Sequence, residues 1–352
     1  MRAIPAAILA IFTSAALPQP ASAQAAQTRV AQSQPAASVP RVTLVATGGT
    51  ISNRQGGRLT AEELIKSIPT LSRYATPAFE QFSNAASSSL SLDQWLALSR
   101  RLNTLFREDP ELAGIVVTGG TDTLEELAYF LNLTVRDERP VVVVGSMRNP
   151  STLGYEGAAN LLEGFRVAAD PASRGRGVLV VLNDEINAAR EVTKTDALRL
   201  HTFQTRGYGI LGVVDSDRVV YYRKVERRHT AESEFDVFAI ESLPRVDVFL
   251  TYQGAPGDII RAAVDAGAKG IVMATAGAGA TSGTQRAGMA YAAARNVPIV
   301  ITTRTGSGRI AFSRGTFIAG QDLAPIKARL LLMLALTRTD DPAELRRIFS
   351  EY

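Results

Sequence analysis

Short apolar, β-branched runs alternate with amphipathic segments along the chain from residue 41 onward. Such runs are typical of buried strands, and the segments between them have the spacing of helices that cover a sheet. The predicted strands are residues 42–46, 114–118, 141–145, 178–182, 246–251, 270–274 and 299–302. The predicted helices are residues 60–67, 92–106, 123–133, 155–169, 258–266 and 285–295. The pattern predicts an α/β fold with mainly parallel sheets.

A polar interval divides this pattern into two parts. Residues 221–244 are polar, contain Arg223, Lys224, Arg227 and Arg228, and end at Pro244, after which the alternation of strands and helices resumes. We therefore predict a larger N-terminal α/β domain at residues 41–220 and a smaller C-terminal α/β domain at 245–352, joined by a linker at 221–244.

The first 23 residues have the features of a signal peptide. Arg2 precedes an apolar stretch, and Ala21-Ser22-Ala23 has the small residues of a cleavage site. An uncleaved anchor is the alternative. Residues 24–40, rich in Ala, Gln, Ser and Pro, are predicted to form a flexible leader. We expect a periplasmic or secreted protein with no membrane contact after cleavage.

The composition limits the catalytic and metal-binding groups that the chain can provide. The chain has 38 Lys and Arg against 34 Asp and Glu, without the clustering typical of a nucleic-acid site, so no nucleic-acid partner is predicted. It has no Cys and only two His, which excludes a thiol nucleophile and a cysteine-ligated metal and leaves little for a histidine-based metal centre. Any catalysis must rest on hydroxyl groups, carboxylates, Lys or Arg.

The sequence Thr-Gly-Gly-Thr occurs twice, at residues 47–50 and 118–121, each time directly after a predicted strand. Ligands of parallel sheets bind beyond the carboxyl ends of the strands, and glycines there permit tight turns and close backbone approach. Thr50 and Thr121 each place a hydroxyl near a helix start, where helix capping is the alternative role. Two matched copies favour a shared site.

A threonine hydroxyl needs a base before it can act as a nucleophile. With histidine scarce, a lysine kept partly neutral is the remaining option, and Lys194 is the candidate. We expect it on a loop just beyond the strand at residues 178–182, at the same edge of the sheet. Asp122 could orient Lys194 or bind a substrate ammonium group. A solvated salt bridge is the alternative for Lys194.

Four motifs together carry a resemblance to a known family. ATGGTI at 46–51, TGGTDTLEELAYFL at 118–131, VVGSMR at 143–148 and REVTKTDA at 190–197 resemble, in this order, the bacterial type II L-asparaginase family, which includes glutaminase-asparaginases. The resemblance extends from about residue 41 to the C-terminus. It implies an amidohydrolase that releases ammonia from L-asparagine, with L-glutamine or a related amide as further candidates, through a threonine acyl-enzyme. It also implies no cofactor or metal, and a homotetramer with its sites at subunit interfaces.

The resemblance implies a role for each residue of the motifs. Thr50 corresponds to the acylated nucleophile, Thr121 and Lys194 to the hydroxyl and amine that pass protons and activate water, and Asp122 to the carboxylate that binds the substrate's α-amino group. Counting from Trp95, Ser87 corresponds to the serine that binds the α-carboxylate.

Backbone and neighbouring positions complete the predicted site. The glycine turns, represented by Gly49 and Gly120, are expected to bind substrate with free backbone N–H groups that stabilise a developing oxyanion. Ser88 stands beside Ser87, where the family commonly has Gln or Glu.

The chain also departs from the family pattern. No Tyr occurs in residues 52–73, where the family's lid carries one, and Ala278 replaces an interface asparagine. No Asp or Glu lies between Asp265 and Asp322, where the family has an interface acid. We expect these changes to alter substrate recognition while the core chemistry survives.

Two other readings compete. A dinucleotide-binding oxidoreductase is suggested by Gly277 and Gly279, but Ser282 occupies the third glycine position of the GxGxxG fingerprint. A catalytically weakened amino-acid binding protein on the same fold is the other alternative, if Ser87 and Asp122 hold ligand without turnover.

Overall fold

A computed structural model describes residues 39–312 and 315–352. The N-terminal strands are β1 (Arg41–Gly48), β2 (Asn53–Arg54), β3 (Gly57–Arg58), β4 (Thr76–Ala85), β5 (Leu112–Thr118), β6 (Val141–Val144), β7 (Leu179–Leu182), β8 (Glu185–Ala188), β9 (Thr193–Lys194), β10 (Phe203–Gln204), β11 (Gly212–Val214) and β12 (Val219–Tyr221). The helices of this part are α1 (Ala61–Lys66), α2 (Leu92–Glu108), α3 (Leu124–Thr134) and α4 (Gly157–Ala169).

The C-terminal part repeats the alternation on a smaller scale. Its strands are β13 (Val246–Leu250), β14 (Gly270–Thr275), β15 (Ile299–Thr303) and β16 (Ile318–Ala319). Its helices are α5 (Asp258–Asp265), α6 (Gln285–Ala293), α7 (Pro325–Ala335) and α8 (Pro342–Glu351).

Two principal sheets organise these elements. The larger has eight strands in the order β12-β11-β8-β7-β6-β5-β1-β4. Strands β4, β1, β5, β6 and β7 pair in parallel, whereas β8, β11 and β12 continue the sheet in antiparallel fashion. The smaller sheet is parallel, in the order β13-β14-β15-β16. The predicted α/β fold with mainly parallel sheets, larger at the N-terminus, is confirmed.

Burial explains why the apolar runs became strands. All four residues of β6 are buried, because a parallel strand in the middle of a sheet has helices on both faces. In contrast, β4 lies at the sheet edge and is mostly exposed or half-buried. Its polar composition explains why the apolar pattern did not predict it. Helices α7 and α8 were also missed.

The core extends across both sheets through α3 and α7. One apolar cluster includes Leu127 and Leu131 of α3 together with Leu330 and Leu334 of α7. The interval at residues 221–244 is packed as well, since Phe235 is buried and its ring lies 5.2 Å from that of Tyr352. The exact domain boundary and the linker stay predictions.

The predicted signal peptide at residues 1–23 lies outside the described residues, as does all of the predicted leader at 24–40 except its last two residues. Among the residues that the structure describes, no helix has the length and apolar character needed to cross a membrane.

Candidate active site

The first glycine turn brings strand β1 against two neighbouring segments. Gly48 and Gly49 have φ values of 105° and 86°, which favour glycine over every L-residue with a side chain. A Cβ on Gly49 would lie 2.5 Å from the backbone nitrogen of Gly120, and one on Gly48 would lie 2.5 Å from the carbonyl oxygen of Ala85. Only glycine permits this approach, so Thr50 follows a turn that touches the second Thr-Gly-Gly-Thr segment.

The two Thr-Gly-Gly-Thr copies are also tied through their first threonines. The Thr47 hydroxyl donates to the Thr118 carbonyl oxygen at 2.6 Å, and the Thr47 N–H donates to the Thr118 hydroxyl at 3.1 Å. Both side chains are buried at the ends of the paired strands β1 and β5. The two turns therefore leave the sheet side by side.

Ser87 lies against the second glycine turn. A Cβ on Gly120 would lie 2.6 Å from the Ser87 hydroxyl oxygen, so this serine packs directly on the second turn. Ser87 is half-buried and begins a short helical turn, Ser87–Ser89, whereas Ser88 is exposed. Of the two serines, Ser87 has the closer relation to the glycine turns.

Lys194 reaches the second turn from a separate hairpin. Its Nζ donates to the Thr121 hydroxyl at 3.1 Å and pairs with the Asp122 carboxylate at 2.8 Å. The Lys194 side chain is 16% exposed and that of Asp122 is 77% exposed, while Thr121 is buried. Hydroxyl, amine and carboxylate thus form one connected group that solvent reaches at the Asp122 end.

The route by which Lys194 arrives differs from the prediction. We expected Lys194 on a loop just beyond the strand at residues 178–182, but β7 is followed by the antiparallel strand β8. Lys194 lies further on, in β9, which pairs with β10 as a two-stranded hairpin. The apolar pattern does not predict this antiparallel strand or the hairpin, because β8 (Glu-Ile-Asn-Ala) alternates polar and apolar residues and β9 and β10 have two residues each.

Free backbone donors differ between the two turns. The Gly49 N–H already donates to Ala85 O at 2.9 Å, so the expectation that it offers a free donor is wrong. Within the described residues, the N–H groups of Thr50, Gly120 and Thr121 donate to no protein acceptor. These groups can meet an oxyanion without first breaking a hydrogen bond.

The Thr50 hydroxyl is available as well. Thr50 is half-buried at the start of a short helical turn, Thr50–Ser52, and its side chain has no hydrogen-bond partner in the part of the chain that the structure describes. The turn is held from behind, since the Tyr155 hydroxyl donates to the carbonyl oxygen of Ile51 at 2.8 Å. Burial raises the pKa of Tyr155, so this hydroxyl keeps its proton.

Sequence reasoning missed Tyr155, Arg58 and Glu125. Arg58, on the hairpin that follows Thr50, places Nη1 3.4 Å from Gly49 O and 3.3 Å from Ala85 O. The buried Glu125 accepts hydrogen bonds from the backbone and side chain of β9. Glu125 stands inside the quoted motif at 118–131, but nothing in that motif distinguishes a solvent-facing glutamate from a buried one.

Two cavities adjoin Lys194. One, of about 420 Å³, is lined by Asp122, Glu125, Lys194 and residues 195–197. The other, of about 800 Å³, lies between the β9–β10 hairpin and the loops of the smaller sheet. In the described residues no group of three or more His, Asp or Glu side chains is arranged to hold a metal ion.

The fold and the site define an α/β protein in which two threonine turns and a lysine meet at the carboxyl ends of parallel strands. Two family profiles match this chain: "Asparaginase, N-terminal" over residues 41–227 and "Glutaminase/Asparaginase C-terminal domain" over residues 245–349. The chain belongs to the asparaginase family of amidohydrolases.

Individual relatives agree with this assignment. The chain is similar to "L-asparaginase 2" of Bacillus subtilis, with 40% identity over 89% of this chain and 87% of the relative. It is 36% identical to a "Glutaminase-asparaginase" of Pseudomonas fluorescens, over 88% of this chain and 90% of that protein. The crystal structure of a "Probable Cytoplasmic L-asparaginase" from Campylobacter jejuni matches with a TM-score of 0.83 and 35% identity, covering 89% of this chain and all of that one. None of these favours a dinucleotide-binding or binding-only protein.

Proposed function

We propose that this protein hydrolyses the side-chain amide of L-asparagine, with L-glutamine or a related amide as further substrates, through an ester on Thr50. The observation that carries the proposal is the contact between the two glycine turns, with Lys194 Nζ 3.1 Å from the Thr121 hydroxyl on one of them. The names of the relatives support the choice of amide.

Acylation comes first in this proposal. The Thr50 oxygen attacks the amide carbon, the C–N bond breaks, and the hydroxyl proton leaves with the nitrogen as part of ammonia. The free N–H groups at Thr50, Gly120 and Thr121 are the candidate donors to the oxyanion, an effect of about 3 to 4 kcal/mol per donor. Gly49 serves this step by shaping the turn, since its own N–H is bonded to Ala85.

Deacylation requires an activated water. Thr121 and Lys194 form the hydrogen-bonded pair that can take a proton from water, whose oxygen then attacks the ester and releases the acid and the Thr50 hydroxyl. In this proposal Asp122, which is exposed and paired with Lys194, binds the substrate's ammonium group, and Ser87, which packs on Gly120, binds its carboxylate. Two anchoring points hold the amide against Thr50 and provide proximity.

The decisive experiment measures ammonia release. The mature protein, beginning at Gln24, is assayed on L-asparagine, L-glutamine, D-asparagine and simple amides. Thr50→Ala and Lys194→Met are expected to abolish release, whereas two matched controls keep it. Thr123→Ala removes a hydroxyl that lies close to Thr121 in the chain and makes no cap hydrogen bond, and Lys66→Met removes a lysine whose side chain is 71% exposed. Unchanged activity in Thr50→Ala would overturn the nucleophile assignment.

The proposal extends to location and assembly. A signal peptide cleaved after Ala23 would deliver the protein to the periplasm or medium, and N-terminal sequencing of exported protein beginning at Gln24 tests this. We further propose a homotetramer with sites at subunit interfaces, to which the segment around Ala278 contributes. Light scattering measures the molar mass in solution. A monomer by light scattering that releases ammonia with full activity would contradict that assembly.

A further inference from the structure

Lys327 is a buried lysine in α7 that the mechanism above does not use. It is 1% exposed, although it belongs to a residue type that is almost never fully buried unless paired. Its Nζ donates to the carbonyl oxygens of Ala189 at 2.9 Å and Arg190 at 3.2 Å, and also to that of Val192. All three carbonyls belong to the segment that immediately precedes Lys194. A side chain of the smaller domain thus holds the backbone that leads to the proposed catalytic amine.

Glu125 holds the same segment from the other side. Its Oε1 accepts the Lys194 N–H at 3.0 Å and the Thr193 hydroxyl at 3.1 Å. Its Oε2 is buried without a hydrogen-bond partner and lies 3.9 Å from the Lys327 Nζ. One carboxylate therefore connects the strand that carries Lys194 to the buried cation of α7.

Burying the Lys327 amine costs free energy, because a charged group loses its hydration. This cost indicates that Lys327 does more than fill space in the core. Burial lowers the pKa of Lys327 to about 8, with Glu125 opposing the shift. A leucine or methionine would pack in α7 without desolvating a charge, and replacing buried ion pairs by apolar residues is often neutral or stabilising. The distinctive contribution of Lys327 is the set of donors that it aims at residues 189–192.

Position matters at Lys194 because its amine meets two partners at once, Thr121 at 3.1 Å and Asp122 at 2.8 Å. A misplacement of about 1 Å in a catalytic group can cost about 10²-fold in rate. We propose that Lys327 and Glu125 are positioning residues that fix the backbone of Lys194 so that its amine reaches Thr121. This inference rests on the proposed function.

The first variant is Lys327→Met, which preserves length and removes the donors. We expect kcat for amide hydrolysis to fall about 10- to 100-fold while KM changes less than about 3-fold, because the substrate-binding groups stay in place. Arg329→Met is the matched control. It lies on the same helix and donates through Nε to Val246 O, with no bond to residues 189–194 in the described structure. Its kcat should equal that of the parent protein.

Lys327→Met leaves the Glu125 carboxylate buried without a counter-charge, which can unfold a protein. The double variant Lys327→Met/Glu125→Gln removes both charges and keeps an oxygen that accepts the Lys194 N–H. We expect it to fold, as judged by circular dichroism, and to retain the loss in kcat.

Substitutions of Glu125 distinguish a positioning role from a merely structural one, because only a positioning role predicts different kcat values for the two variants below. Glu125→Gln should keep kcat within about 3-fold, whereas Glu125→Ala, which deletes the acceptor, should lower kcat about 10-fold or more with little change in KM. Equal kcat for the two Glu125 variants, or full kcat in the folded double variant, would overturn the inference.

Failure of the inference is distinguishable from failure of the proposed function. If Thr50→Ala and Lys194→Met keep full ammonia release, the proposed function itself is wrong. If both abolish release while the folded Lys327 and Glu125 variants behave like the parent, only the positioning roles are wrong.

Discussion

The two Thr-Gly-Gly-Thr turns have the same four residues and follow adjacent parallel strands, yet they present their last threonines differently. In the first, both glycines have positive φ, and Thr50 is half-buried with a hydroxyl that has no partner in the described residues. In the second, neither glycine has a positive φ, and Thr121 is buried against the Lys194 amine. Identical sequence thus yields one free hydroxyl and one hydroxyl bonded to an amine, because their surroundings differ.

The largest expected effect is on ammonia release, and it distinguishes the Thr50 hydroxyl from the Thr121 hydroxyl by their roles in the reaction. Thr50→Ala should lower ammonia release at least about 10⁴-fold, as loss of a nucleophile does, and Thr121→Ala about 10²- to 10⁴-fold, as loss of a proton-transfer group does. With Thr121→Ala, mass spectrometry of peptides prepared after rapid quenching should find an acyl group on Thr50. An ester on Thr121 in the parent protein would reverse the two roles.

The next effect concerns the turns themselves. Gly49→Ala should cost about 2 to 4 kcal/mol in the free energy of unfolding, since a positive φ and a backbone clash at 2.5 Å act together. Gly120→Ala should cost less, because a Cβ there meets the Ser87 Oγ and Cβ at 2.6 and 2.7 Å but carries no additional cost from a positive φ. Urea denaturation measures both. Gly277→Ala, at a glycine with open space and no positive φ, is the control. If Gly49→Ala and Gly120→Ala lowered the free energy of unfolding equally, the proposed difference between the two turns would be wrong.

Glu163 of helix α4 makes the stability of the fold depend on pH without involving any of the candidate catalytic groups. Burial, with the nearby Asp184, raises the pKa of Glu163 to about 8. The folded state therefore keeps a proton that the unfolded chain loses near pH 4.5, so stability is full below that pH and falls as pH rises toward 8. We expect a decrease of roughly 1 to 3 kcal/mol over this range, measured by urea denaturation. Glu163→Gln should remove the dependence, and a slope unchanged by that substitution would assign it elsewhere.

The smallest effect tests the tie between the turns. Thr47→Val removes the hydroxyl that donates to Thr118 O and should cost about 1 kcal/mol in the free energy of unfolding. Thr43→Val, on the same strand at a buried side chain without a hydrogen bond in the described residues, should cost less. If the two substitutions cost the same, the Thr47 hydroxyl does not stabilise the paired turns.

Prediction from the sequence succeeded where residues close together in the chain determine the local structure. The buried strands β1, β5 and β6 have continuous apolar runs, and the glycine-threonine turns directly follow two of them. It failed for β4, whose edge position tolerates polar residues, and for the β9–β10 hairpin, whose strands have two residues each. Neither element has an apolar signature of its own.

The amino-acid sequence by itself determined the alternation of strands and helices, the twin turns and the family to which the chain belongs, because these depend on residues near one another in the chain. Only the tertiary structure decided that the Gly49 N–H is occupied, that Lys194 arrives from a hairpin beyond an antiparallel strand, and that Lys327 and Glu125 hold it there. Those facts depend on contacts between residues as far apart as Glu125 and Lys327. No local pattern encodes such contacts, since burial and partner choice emerge only when the two sheets and their helices pack.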